Sequence, residues 1–117
     1  MNNNTILKKS KLFAVRIIRL YQHLSSDKKE HVLSKQILRC GTSIGANIRE
    51  AQHGQSKKDF IAKMSIALKE ASETEYWLEL LHETEYIDNE AYKSIYSDCN
   101  ELNKLLVSII KTSKQNL

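Results

Sequence analysis

Apolar residues recur along this chain in steps of three and four, with polar residues between them. The longest run is Phe60, Met64, Ala67, Ala71, Thr74, Leu78 and Leu81. Such spacing lays one apolar seam along a helix, and a repeat near 3.5 predicts a left-handed supercoil with its neighbours. Ile61, Leu68 and Trp77 widen the seam to the broad face a bundle helix needs. Ser56 followed by Asp59 has capping-box spacing, so this helix is expected over residues 57–84. Leu33, Ile37, Cys40, Ile44, Ile48 and Ala51 form a second seam, within residues 28–53. Phe13, Ile17, Leu20 and Leu24 form a third, within 6–24, and Tyr92, Ile95, Cys99, Leu102, Leu106 and Ile109 a fourth, within 89–112.

The links between these runs are short. Ser25, Ser26 and Asp27 read as a polar breaker with N-cap chemistry, and Gly54 as a left-handed residue that stops the second helix. Asp88 is expected to cap the fourth helix, with Ile87 and Tyr92 at the spacing of a hydrophobic staple. Helices joined by a few residues must alternate in direction. The expected fold class is therefore all-α: a left-handed, up-and-down four-helix bundle with antiparallel neighbours, in one domain over residues 1–117.

Gly41 and Gly45 lie one turn apart inside the second helix. Each costs roughly 1 kcal/mol against Ala in a helix interior. A close approach by another helix would offset that; a kink or a ligand-lined gap is the alternative. Val15, Ile18 and Tyr21 lie outside the seam of the first helix, as the broad face of a bundle helix or as a contact with another protomer.

Composition narrows the class. The chain has 117 residues, no Pro and three Gly, so a sheet of strands joined by tight turns is not expected. No run approaches the roughly 20 apolar residues of a membrane span, and the start, MNNNTILKKSK, lacks the pattern of a signal peptide. Cys40 and Cys99 have neither metal-ligand nor disulfide-framework spacing. The expectation is a reduced, cytoplasmic chain with no cofactor and no membrane contact.

Charge adds the functional signal. Residues 1–69 hold 14 Lys and Arg against 4 Asp and Glu, and residues 70–117 hold 4 against 10. Alternating helices would sort these charges by end. Lys8, Lys9, Lys11, Arg49, Lys57, Lys58, Lys63 and Lys111 fall at one end, with Lys114 beyond them, opposed nearby by Glu50 and Asp59. Glu75, Glu79, Glu83, Glu85, Asp88 and Glu90 fall at the other, partly balanced by Arg19, Lys28 and Lys29. A basic pole attracts polyanions because a phosphate backbone releases counterions on binding; the plainer reading is a solvated lysine surface.

Catalytic patterns are weak. Two Glu-x-x-His units, Glu50 to His53 and Glu79 to His82, have the ligand spacing of metal-binding bundles. They fall toward opposite ends of the third helix, about 37 Å apart at 1.5 Å per residue, too far to share a metal. His23 and His31 read as surface residues near a turn. Asn47 and Glu50 flank the second seam, and Glu70 and Glu73 lie on the third helix. Asn47 fits a register-fixing polar residue better than part of a binding site. No enzymatic activity is expected.

One stretch carries a resemblance. SIGANIREAQ, then SKKDF, then SIALKEASETEYWLELL resembles the bacterial family encoded in intervening sequences of 23S ribosomal RNA genes. That family is similar to the accessory variability determinant of diversity-generating retroelements. The motif-rich part covers about residues 36–82. The resemblance implies a four-helix protomer, a homopentamer and no enzymatic activity, and its accessory relatives imply nucleic acid and a partner protein as binding partners. The expected function is a non-enzymatic oligomeric binding or accessory protein that contacts RNA or DNA phosphates through the eight basic residues named above. The alternative is a protein-interaction scaffold that binds no nucleic acid.

Overall fold

All four seams turn inward. Ile17, Ile37, Ile44, Ile48, Met64, Leu78, Leu81 and Leu106 are fully buried, with Phe13 and Leu102 nearly so. The computed structural model describes residues 3–117, so residues 1 and 2 of the expected domain lie outside the described residues. It holds α1 (Asn3–Ser26), α2 (Leu33–Ala51), α3 (Lys57–Glu83) and α4 (Asn89–Gln115). Among the described residues there is no strand. The result is an all-α four-helix bundle measuring 47 × 21 × 19 Å.

Contacts between helices fix their relative direction. Gly41 of α2 faces Ile17 of α1, and Gly45, one turn further along α2, faces Ser10, earlier in α1. Arg39 of α2 pairs with Glu73 of α3, while Glu50 pairs with Lys63. Glu75 accepts from Asn103 and Asn100 of α4, while His82 meets Asn89. Lys9 and Arg16 of α1 pair with Glu101 and Asp98 of α4. In every pair the numbers rise along one helix as they fall along the other, so neighbours are antiparallel.

The two helical glycines do different things. A Cβ on Gly41 would lie 2.7 Å from Ile17 Cγ1, so any side chain there would force Ile17 out of its place between α1 and α2. A Cβ on Gly45 would lie 3.3 Å from Ser10 Oγ, which is tight but passable. Close packing explains the first; the second borders a cleft described below.

Two links depart from expectation. α2 begins at Leu33 and not at residue 28. Ser25 stays inside α1, donating to the Tyr21 carbonyl at 2.9 Å, and the chain turns through Lys29 at φ 55°. The buried Glu30 carboxylate then accepts from the amides of Val32, Leu33 and Ser34 at 3.2, 3.0 and 2.7 Å. Those amides are the orphan donors of a helix start, so Glu30 sets where α2 begins. Gly54, for its part, is not left-handed, since no described glycine has positive φ. α2 ends by tightening, with amides 52, 53 and 54 bonding three residues back. Gly54 sits in a crowded turn: a Cβ there would lie 3.2 Å from both the Ala51 carbonyl oxygen and the Phe60 nitrogen, so the backbone would have to give by a few tenths of an ångström.

The other caps form as read. Ser56 Oγ accepts from the Asp59 amide at 3.1 Å, and Asp88 accepts from the Ala91 amide at 2.8 Å. α3 closes through Glu85 at φ 67°, with the Tyr86 amide reaching the Leu81 carbonyl at 2.9 Å. This is the bond pattern of a Schellman motif without its usual glycine.

Candidate functional site

The antiparallel order brings four helix ends together. The start of α1 meets the end of α2 at Ser10 and Gly45. The end of α2 meets the start of α3 through Glu50 and Lys63, 3.3 Å apart. Near the end of α4, Lys111 and Lys114 border a shallow depression with Leu68 of α3. Of the eight basic residues proposed from sequence, Lys11 and Arg49 line one cleft, and Lys63 lies against Glu50, the residue after Arg49, while Lys9 reaches Glu101 midway along α4.

The eight are not equivalent. Lys9 pairs with Glu101 at 3.2 Å and Lys63 with Glu50 at 3.3 Å. Among the described residues no ion pair engages Lys8, Lys11, Arg49, Lys57, Lys58 or Lys111, and all six are exposed. The start of α3 is also less open to an anion than its lysines suggest. Ser56 already takes one amide there, and Asp59 adds a carboxylate in the first turn.

Carboxylates dominate the opposite end. The Tyr92 phenol is raised above its ordinary value of 10.0 by burial and by Glu79, Glu83 and Glu75. Tyr96 is raised by burial, Glu75 and Glu79. A cleft of about 750 Å³ opens here beside His23, His82, Glu83, Glu85 and Asp88. Several of its polar groups already have partners. His23 meets Asp27 at 2.9 Å, His82 bonds Asn89 and stacks on Tyr92 with centroids 4.1 Å apart, and Asp88 caps α4.

The remaining candidates are structural. Asn47 donates to the Ser43 carbonyl at 2.8 Å, a bond within its own helix and not across the bundle. Glu70 and Glu73 hold Arg39, whose guanidinium is stabilised above its ordinary value, first by the Glu73 hydrogen bond. Arg39 was missed in sequence because its partners lie on another helix. Burial pushes the Cys40 thiol up to about 11, against a hydrogen bond from Thr74, and raises Cys99 further. Neither offers a thiolate near neutral pH. Among the described residues no three His, Cys, Asp or Glu are grouped so as to hold a metal ion. No described helix is long and apolar enough to cross a membrane.

Fold and site together define a class: a small helical bundle with opposite charges at its two ends. Comparison with known proteins places it more closely. The family described as 23S rRNA-intervening sequence protein matches residues 2–108, and the chain belongs to that family. A crystal structure of a protein of unknown function from the S23 ribosomal protein family of Bacteroides thetaiotaomicron VPI-5482 is 64% identical. The match covers 95% of this chain and 99% of that one, with a TM-score of 0.93. No curated protein matches the chain.

Proposed function

We propose that this protein is a non-enzymatic, homo-oligomeric accessory protein of the cytoplasm that contacts the phosphate backbone of RNA or DNA through its basic pole. The observation that carries the reading is the set of six exposed cations, gathered from all four helices, that no ion pair engages among the described residues. No aromatic platform accompanies them among the described residues, which favours phosphate contact over base recognition. One protomer would bind weakly, and an oligomer presenting several such poles to one strand gains through effective concentration.

The outer face of α1 supports assembly. Leu12 is 61% exposed, with Val15 and Ile18 also exposed. A groove of about 390 Å³ between α1 and α4 is lined by Val15, Leu20, Ile87, Ala91 and Ile95, with Arg16, Arg19 and His23 also on it. Light scattering should give the mass of a pentamer of 13.5 kDa chains; a monomer at micromolar concentration would remove the avidity argument.

Binding to mixed-sequence RNA and DNA over a salt series tests the function. Affinity should fall steeply as salt rises, with a log-log slope set by the number of phosphates neutralised. Absence of salt-dependent binding would leave a protein-interaction scaffold, recruited through the acidic pole or the α1 face.

A further inference from the structure

We propose that the cleft between α1 and α2 at the basic end holds one backbone phosphate of a bound strand, with Lys11 and Arg49 as its ligands. The inference rests on the nucleic-acid reading and locates its contact. The cleft measures about 300 Å³ and is walled by Leu7, Ala14, Gly45 and Ala46, with Lys11 and Arg49 among its lining residues. It exists because the α1–α2 contact changes character along its length. At Gly41 the branched Ile17 side chain fills the space above the glycine. One turn later the facing residue is the small Ser10, and Ala14 and Ala46 leave the space open.

The charges point to an anion. Among the described residues no carboxylate lines the cleft, and no ion pair engages Lys11 or Arg49. Glu50, next to Arg49 in sequence, is directed to Lys63 on α3. Two cations on one small cleft repel each other, and an anion between them removes that cost. A guanidinium adds a planar fork of donors suited to two phosphate oxygens, and Lys11 adds a point charge.

The other polar groups do not compete for this role. Ser10 donates to the Leu7 carbonyl at 3.1 Å and Thr42 to the Leu38 carbonyl at 2.6 Å, so both hydroxyl protons are taken by α-helical carbonyls. Among the described residues no aromatic side chain lines the cleft, so a base has nothing to stack on. The small apolar wall suits a sugar next to the phosphate. Binding at this cleft is therefore independent of sequence.

The test is a nuclear magnetic resonance titration of the isotope-labelled protein with a single-stranded oligonucleotide and, separately, with inorganic phosphate. Both should shift the amides of Ser10, Gly45 and Ala46. Ala46→Leu narrows the cleft at an exposed position and leaves every charge in place. It should lower oligonucleotide affinity about tenfold with an unchanged melting temperature, and Arg49→Gln should do the same. If Ala46→Leu binds like the parent and only the Lys57 and Lys58 amides shift, the cleft assignment is overturned while the function above stands. If no polynucleotide binds, that function fails, and the cleft assignment survives only as a phosphate site if inorganic phosphate still shifts its amides. Larger shifts with an acidic peptide than with either phosphate probe would overturn the choice of ligand.

Discussion

The two ends of this bundle carry charges of opposite sign, and the ones that the fold itself holds differ between them. At the acidic end part of the charge is built into the fold, although among the described residues no ion pair engages Glu79, Glu83, Glu85 or Glu90. Asp88 caps α4, Glu30 caps α2 with three amide bonds, and Glu75, further along α3, receives two asparagine amides from α4. At the basic end Lys9 and Lys63 are paired, while six other cations have no acidic partner among the described residues. A charge satisfied by its own chain contributes to stability. A charge left unsatisfied raises the local potential and is available to a ligand. Removing charge at one end should therefore change melting, and removing it at the other should change binding.

The largest effect is expected at Glu30. It is 9% exposed and holds three amides at the start of α2. Glu30→Ala should lower stability by about 2–3 kcal/mol, the cost of stranding partly buried donors, with binding of RNA unchanged for the folded fraction. A loss below about 0.5 kcal/mol in denaturant unfolding, well under the cost of a stranded donor, would mean the cap does not set the start of α2.

The same residue predicts a pH dependence. Burial pushes the Glu30 carboxyl up, but the bonds from Ser34, Leu33 and Val32 outweigh it, and the net shift is below the ordinary value of 4.5. A carboxyl with a lowered folded value stabilises the fold above its unfolded value and loses that contribution as pH falls through the folded one. Melting temperature should therefore drop below about pH 4.5, and Glu30→Gln, which keeps one acceptor oxygen, should flatten that drop. Parallel melting curves for parent and variant across this range would contradict the assignment.

At the basic end, replacing Lys57 and Lys58 together with Gln should weaken RNA binding about tenfold, or 1.4 kcal/mol, without moving the melting temperature. The smallest effects belong to the paired cations. Lys63→Gln should change stability by a few tenths of a kcal/mol, as exposed ion pairs do, and should change binding less than Lys57→Gln. If Lys63→Gln weakened binding more, the division into paired and unpaired cations would not describe the pole.

Most of the fold was legible because each seam depends only on residues three and four apart on one helix. The Ser56 and Asp88 caps were legible for the same reason, since both act three residues ahead. The start of α2 was not. A buried glutamate serving as its own turn's amide acceptor resembles, in sequence, any other exposed glutamate beside lysines and histidine. Gly54 was misread because glycine after a helix fits two demands, a left-handed backbone or a crowded one, and sequence spacing cannot separate them. At the basic end the grouping of Lys8 through Lys111 is an expectation from alternating helices, and of these residues the structure brings Lys11 and Arg49 to one cleft. The pairing of Lys9 with Glu101 was not legible, because those residues meet only when α1 lies against α4.

The most direct test of the central claim compares salt slopes for two proteins: the parent, and a variant with Lys57, Lys58, Lys11 and Arg49 changed to Gln. Binding to a mixed-sequence single-stranded RNA is measured from low to moderate salt. The parent should bind with steep salt dependence, and the equally stable variant should bind more weakly with a shallower slope. Equal affinities and equal slopes would contradict this, because the unpaired cations would then have no part in holding the strand.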